Sequence, residues 1–335
     1  MIARGPAVRH HARYLAVIAA MVALGVISTL TLLNQQSSAD STSGQSARNE
    51  AGTSHAARPG HPTATAYGSR TPASAPASSV AASSAPNSLS PAEAKTSIEK
   101  IIDSAPAGGV SVAALNTRTG AQYAAGASGG MWTASAYKLF MVEALLVQHQ
   151  DSGTTLSTGE DYVASTAIEN SDNNSGYSLF LTVGGRSGED AMLKRFGMTH
   201  SHSGASDPAF TTLSGTDGLI LLRNLVEKKS PLDAKSRAYL LDLMRNVEPD
   251  QRWGVGVVAD PGTSFANKNG WLAVDNSNAG GEDDNGLWIT TSLGIVTVHG
   301  QQVLLSVLTR HNSDLDEGIK RVESLSRDLA AIVAP

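Results

Sequence analysis

The chain of 335 residues contains no cysteine. That excludes disulfides, thiolate zinc sites and a cysteine nucleophile together. It says little about compartment, because a large exported domain buries enough core without covalent staples. Aromatic residues are scarce at 5%, and the formal net charge is only -5. Basic runs are absent beyond the extreme N-terminus, so a nucleic-acid partner is not expected. The chain also lacks an internal repeat, an H-E-x-x-H helix and a calcium-loop spacing, so neither a metal nor another cofactor is expected.

What is present begins with an N-terminal third that reads as lying outside the fold. A basic segment over residues 1–13 holds Arg4, Arg9, His10, His11 and Arg13, and an uncharged run from Tyr14 to Leu33 follows it. Such a run is long enough to cross a bilayer as a helix, whereas a secretory signal core is usually about 7–15 residues. The positive flank keeps its end in the cytoplasm. The expectation is a single-pass signal anchor at the cell membrane with an extracytoplasmic domain; the alternative is a cleaved signal peptide at Ser37-Ser38-Ala39 and a secreted domain. With no cysteine after the run, a lipid-modified cysteine is not expected as the anchor. Residues 34–90 are dominated by Ser, Ala, Thr, Gly and Pro. They cannot bury enough apolar surface to offset chain entropy, and read as a disordered tether.

Residues 91–335 read as one folded domain. Ser90-Pro91 is cap and first helical position for a helix to Ser104. Val110–Leu115 and Gln122–Ala125 read as strands around a turn from Asn116 to Gly120. Ser135–His149 carries apolar residues at helical period, and further helices are predicted at Ser175–Leu181, Thr216–Glu227 and Lys235–Val247. Gly270–Val274, Leu287–Val298 and Gln302–Thr309 read as strands, and Leu315–Val333 closes the chain as an amphipathic helix. This order implies an α+β fold: one antiparallel sheet flanked by terminal helices, with an all-helical lobe inserted.

The chemistry starts at Ser135-Ala-Tyr-Lys138. A serine hydroxyl needs a base within hydrogen-bond reach. Residues three apart at a helix start share a face, so Lys138 sits one turn above Ser135. The helix N-terminus offers N–H groups to a developing oxyanion. For Lys138 to accept a proton it must be desolvated or lie near other cations. Alone the motif is weak: Ser97-Ile-Glu-Lys100 has the same form and reads as a solvated stretch of the first helix. What distinguishes Ser135 is company, namely Ser171-Asp172-Asn173 and Lys268-Asn269-Gly270, in that order. Each alone reads as an ordinary turn or strand; together they point to a site.

These motifs resemble the S-x-x-K, S-D-N and K-T-G set of class A β-lactamases and penicillin-binding proteins. With Gln251-Arg-Trp-Gly254 and Lys268-Asn-Gly-Trp-Leu272, the chain from Ser90 to Pro335 looks closest to actinobacterial class A β-lactamase-like serine hydrolases. The resemblance implies a β-lactamase/transpeptidase-like fold and an acyl-enzyme on Ser135, with Lys138 as base or proton relay. It implies that Ser171 passes a proton to the departing nitrogen, that Asn173 holds a substrate amide, and that Lys268 favours a substrate carboxylate and helps keep the Ser171 hydroxyl polarised. The N–H groups of Ser135 and Trp271 would form the oxyanion hole. The implied partner is a β-lactam or a peptidoglycan stem peptide, taken by a monomer. The implied activity is β-lactam hydrolysis, the alternatives being a D-alanyl-D-alanine peptidase or transpeptidase and a catalytically weak binding module.

Four features depart from that pattern. Asn269 stands where the family has a hydroxyl, and its amide could still donate to a substrate carboxylate. Ser135 and Ser171 are only 36 positions apart. Asp207-Pro208 stands where the family has Glu-Pro, one methylene short of a hydrolytic water; as an ordinary residue Asp207 is a turn former before proline. The strand Leu287–Val298 has no arginine, which leaves Arg252 or Arg310 as substitutes. His200-Ser-His202 reads as polar loop rather than a metal pair, and Glu282-Asp-Asp284 as an acidic turn. Trp132 and Trp271 flank the site in sequence, where core packing competes with ligand contact.

Overall fold

The computed structural model describes residues 89–204, 207–275 and 284–335. The expected basic segment, the anchor and the tether up to residue 88 lie outside the described residues. Among the described residues, no helix is long and apolar enough to cross a membrane.

Helix α1 (Pro91–Ser104) starts at a capping box in which Ser90 and Glu93 satisfy each other's backbone N–H. Strands β1 (Val110–Asn116) and β2 (Gln122–Gly126) form a hairpin, and a two-residue strand β3 (Met131–Trp132) leads into the inserted lobe. The lobe contains α2 (Tyr137–Ser152), α3 (Thr158–Glu169), α4 (Asn173–Val183) and α5 (Gly185–Phe196). After β4 (Thr212–Leu213) come α6 (Gly215–Val226) and α7 (Ala234–Arg245). The chain then returns through β5 (Ala266–Ala273), β6 (Trp288–Val298) and β7 (Gln301–Asn312) to α8 (Leu315–Val333). The main sheet has the order β2-β1-β7-β6-β5, and every pairing is antiparallel. The expected α+β architecture is therefore present.

Strand β7 shows why the sheet is the middle layer. Alternate residues point to opposite faces of a strand. Val303, Leu305 and Val307 join Ile98, Val322, Leu325 and Leu329 beneath α1 and α8. Leu304 and Leu308 join the core of the helical lobe. With both faces covered, the strand reads as one apolar run instead of an alternating one.

Helix α2 lies at the centre of the lobe and is buried from Tyr137 to Val147. A helix apolar all round belongs in a core, yet this one also buries Lys138 and Glu143. The sheet and α2 meet at the edge strand β5. A Cβ on Gly270 would fall 2.4 Å from the Thr133 carbonyl, 2.7 Å from Ala136 N and 2.9 Å from Ser135 N. Only glycine allows this backbone-on-backbone approach, and it sets β5 against the start of α2.

Candidate active site

Ser135 does not open an α-helix. It lies in a 3₁₀ turn, Ala134–Ala136, and α2 begins two residues later at Tyr137. Ala134 has φ 44°, left-handed backbone that a residue with a Cβ adopts at a cost of about 1–2 kcal/mol. The surrounding packing holds that turn: Ala134 and Ala136 are buried, and Ser135 is half-buried.

Ser171 is also left-handed, with φ 56°, in the turn between α3 and α4. Asp172 caps α4, accepting the Ser175 N–H at 2.7 Å, and Asn173 is the first helical residue. The S-D-N triplet is thus turn-and-cap chemistry and a site wall at once. The strained turn aims the Ser171 carbonyl at the Lys138 amine, 2.5 Å away.

The Lys138 Nζ lies 3.0 Å from Ser135 Oγ, 2.8 Å from Asn173 Oδ1 and 3.5 Å from Ser171 Oγ. The two carbonyl-type oxygens can only accept. A neutral amine has two N–H groups for them and one lone pair left, which faces the Ser135 hydroxyl. Burial pushes the Lys138 amine down to about 8, against the opposing pull of Asp172 and Asp207. On β5, Lys268 is fully buried and donates to Ser171 Oγ at 2.8 Å and to the Asn269 carbonyl at 2.9 Å. Burial, and then repulsion from Lys138, push its amine well below the usual lysine range. Ser135, Lys138, Ser171, Asn173 and Lys268 therefore meet as one connected group. β5 starts at Ala266, four residues before the predicted start, so Lys268 is held by the ladder instead of preceding it.

Asn269 corrects the sequence expectation. Its side chain is buried; its amide donates to the Gln251 and Trp253 carbonyls at 2.9 and 3.0 Å, and its oxygen accepts from Ser292 at 2.7 Å. Alternation along β5 sends it away from Lys268's side of the strand, so it makes no carboxylate contact and instead ties β5 to the Pro249–Gln251 turn. Asn267 donates to the same Gln251 carbonyl.

The proposed substitute arginines are occupied as well. Arg252 stacks on Phe265, 4.4 Å from the ring centre, and donates to the Arg245 carbonyl at 2.9 Å. Arg310 pairs with Asp284 through two nitrogens and stacks over Trp132 at 5.3 Å. Asp284, expected in an acidic turn, is buried, and His311 Nε2 lies 2.8 Å from Oδ1, the oxygen that Arg310 Nε also reaches. Nothing local to Asp284 signals this, because its partners lie on β7.

A cavity of about 460 Å³ opens over Ser135 and is lined by Ser171, Asn173, Asp207 and Trp271 among others. Asp207 is exposed there, and one carboxylate oxygen accepts the Ala209 N–H at 2.8 Å, capping the turn Pro208–Phe210. It is both the turn residue and a pocket residue. Trp271 packs edge-on against Trp253 at 5.9 Å and also lines the cavity. Trp132 packs on Phe210 and Arg310 instead. Sequence reasoning missed Tyr137, Asn170, Tyr177 and Asp250 in the lining, because neither spacing nor residue type marks them.

Ser97 behaves as expected of a look-alike. It bonds Asp328 across to α8, and Lys100 is exposed. His200 lies 3.5 Å from the Asp217 carboxylate, and His202 forms a single backbone bridge to Thr212.

Residues 151–333 match the family model described as the Beta-lactamase enzyme family. That stretch holds Ser171 and Lys268 and begins after Ser135 and Lys138. The "Putative lipoprotein LppW" of Mycobacterium tuberculosis is 25% identical over 216 residues, 61% of this chain, and a Mycobacterium bovis protein of the same name matches equally. The match spans 65% of those relatives' own length. Among solved structures, the TLA-1 extended-spectrum β-lactamase is similar with a TM-score of 0.61 and 18% identity, covering 72% of this chain and 98% of that one. A β-lactamase from Chitinophaga pinensis gives 0.60 at 18% identity, covering 70% and 97%. PBP-A gives 0.58 at 17% identity, covering 73% and 97%.

Proposed function

The chain belongs to the Beta-lactamase enzyme family, and from that premise we propose that it is an exported serine hydrolase working through an acyl-enzyme on Ser135. The observation that carries this reading is the Lys138 amine, buried and 3.0 Å from Ser135 Oγ, with its other contacts made to acceptor oxygens.

The substrate is an acyl group on nitrogen, as in a β-lactam ring or a peptide ending in a D-amino acid. Ser135 Oγ attacks the carbonyl carbon while its proton passes to Lys138 Nζ. Backbone N–H groups of Ser135 and Trp271 receive the oxyanion. As the C–N bond breaks, Ser171 Oγ gives its proton to the departing nitrogen and is replenished from Lys138, and Asn173 holds the substrate amide. Lys268 keeps the Ser171 hydroxyl oriented. In the second half a water attacks the ester carbonyl with Asp207 taking its proton, the bond from the acyl carbon to Ser135 Oγ breaks, and Oγ regains a proton as the acid product leaves. Asp207 is one methylene short and already bound to the Ala209 N–H, which favours slow release. A misplacement of about 1 Å costs about a hundredfold.

Export is supported by the apolar run Tyr14–Leu33 behind a basic flank and by the lipoprotein name of the mycobacterial relative. Incubation with a fluorescent penicillin and with an acyl-peptide thioester, read by intact mass, tests the site. An adduct is expected with at least one probe, lost in Ser135→Ala and retained in Ser97→Ala. No adduct from either probe on folded protein would refute the assignment. A chromogenic β-lactam then separates turnover from labelling alone, and release of D-alanine from peptide identifies a peptidase.

A further inference from the structure

The cavity over Ser135 has a charge that its buried chemistry conceals. Its two lysines, Lys138 and Lys268, lie beneath the floor with no exposed surface and are committed to Ser135, Ser171, Asn173 and the Asn269 carbonyl. No Lys, Arg or His lines the described wall. The charged side chains that do line it are Asp207 and Asp250, both exposed to solvent. Behind the lining residue Asn170 stands a third carboxylate, Glu248, which accepts from the Asn170 amide at 2.9 Å.

The fittings that would receive a substrate carboxylate are used elsewhere. Asn269 is turned onto the Gln251 and Trp253 carbonyls, Arg252 lies on Phe265, and Arg310 is held by Asp284. An anionic substrate would therefore enter a mouth of its own sign and find no free cation. A cationic one would meet two carboxylates and the aromatic residues Tyr177 and Trp271, a residue type that also favours an ammonium group.

Resting on the serine-enzyme reading above, we propose that Asp250 and Asp207 set the substrate class: the preferred acyl donor is a peptide carrying a free amine, in preference to an anionic β-lactam. Asp250 is the specificity residue that can be tested apart from the chemistry, because Asp207 also stands by the hydrolytic water. The carboxylates are exposed, so the preference is moderate and sensitive to salt.

The test uses the full chain and two acyl-peptide thioesters, identical except that one has a free lysine side chain and the other its acetylated form. Acylation of Ser135 is followed by intact mass at low ionic strength. The free amine is expected to react about three- to tenfold faster. That ratio should fall toward one in high salt and in Asp250→Asn, and further in Asp250→Lys. An acetylated probe that reacts as fast, or a ratio that survives both salt and Asp250→Asn, would overturn the inference while leaving Ser135 as nucleophile. No Ser135 adduct from either thioester would overturn this inference, and the serine-enzyme reading falls with it only if the fluorescent penicillin also leaves no adduct.

Discussion

Replacing Lys138 by methionine should destroy the chemistry and stabilise the protein. The folded chain releases the Lys138 proton near pH 8, whereas an unfolded lysine does so near 10.4. Below pH 8 both states are protonated, and burying the charge costs the fold about 3 kcal/mol. Between about 8 and 10.4 the unfolded chain holds a proton that the folded one has lost, so stability rises with pH. Above that window the penalty is gone. Methionine fills nearly the same volume without the charge, but it leaves the Ser171 carbonyl and Asn173 Oδ1 without their donor, a loss of about 1–2 kcal/mol. The net expectation at pH 7 is a gain of about 1–2 kcal/mol, or about 2–8 °C in Tm for a domain of this size. Relief of the repulsion on Lys268 acts in the same direction. Acylation of Ser135 should fall about 10²- to 10⁴-fold. Thermal melts at pH 7 and pH 10, beside intact-mass acylation rates, check both halves. A variant less stable than wild type at pH 7, or a gain as large at pH 10 as at pH 7, would refute the claim that Lys138 is held against its charge.

Other outcomes follow from the same geometry. Acylation by an uncharged donor should rise with pH, since the neutral fraction of an amine titrating near 8 grows from about 1% at pH 6 to about 90% at pH 9; a flat profile over that range would count against Lys138 as base. Gly270→Ala places a Cβ on the Thr133 carbonyl and the Ser135 N–H, so it should cost about 1–3 kcal/mol and slow acylation about a hundredfold. Unchanged melting and acylation would show that β5 does not brace the nucleophile's turn. Asp207→Glu restores the missing methylene, and the acyl-enzyme mass should decay about tenfold faster or more; an unchanged decay would remove Asp207's position from the deacylation step.

The site was readable where local chemistry and long-range position agree. S-x-x-K occurs twice, and only Ser135 lies in the turn that leads into a helix buried on all sides, whereas Ser97 sits on α1 with its lysine in solvent. Asn269 looked like a substrate contact because it occupies the middle of a motif. Its direction is set by β5's register against β6, where it faces Ser292. Arg310 and Asp284 are 26 positions apart and read as surface, until the β6–β7 pairing and the turn before β6 bring them together. The short stretch between Ser135 and Ser171 gave no sign of where the pocket rim would come from; the lining includes Asn170, Tyr177 and Asp250, from three separate segments.

By itself, the sequence determined the α+β layering and the order of the three motifs, because hydrophobic period, capping residues and glycine positions act over a few residues. It also marked Ser135 and Lys138 as a pair, since helical rise places residues three apart on one face. Tertiary structure alone decided what that pair can do. The two lysines are depressed by burial from several elements at once. Ser171 reaches them only because the chain turns left-handed between α3 and α4. The acidic mouth exists only because Asp207 and Asp250, 43 positions apart, line the same cavity. Burial and electrostatic fields sum over neighbours in space, and those neighbours are assigned by the fold.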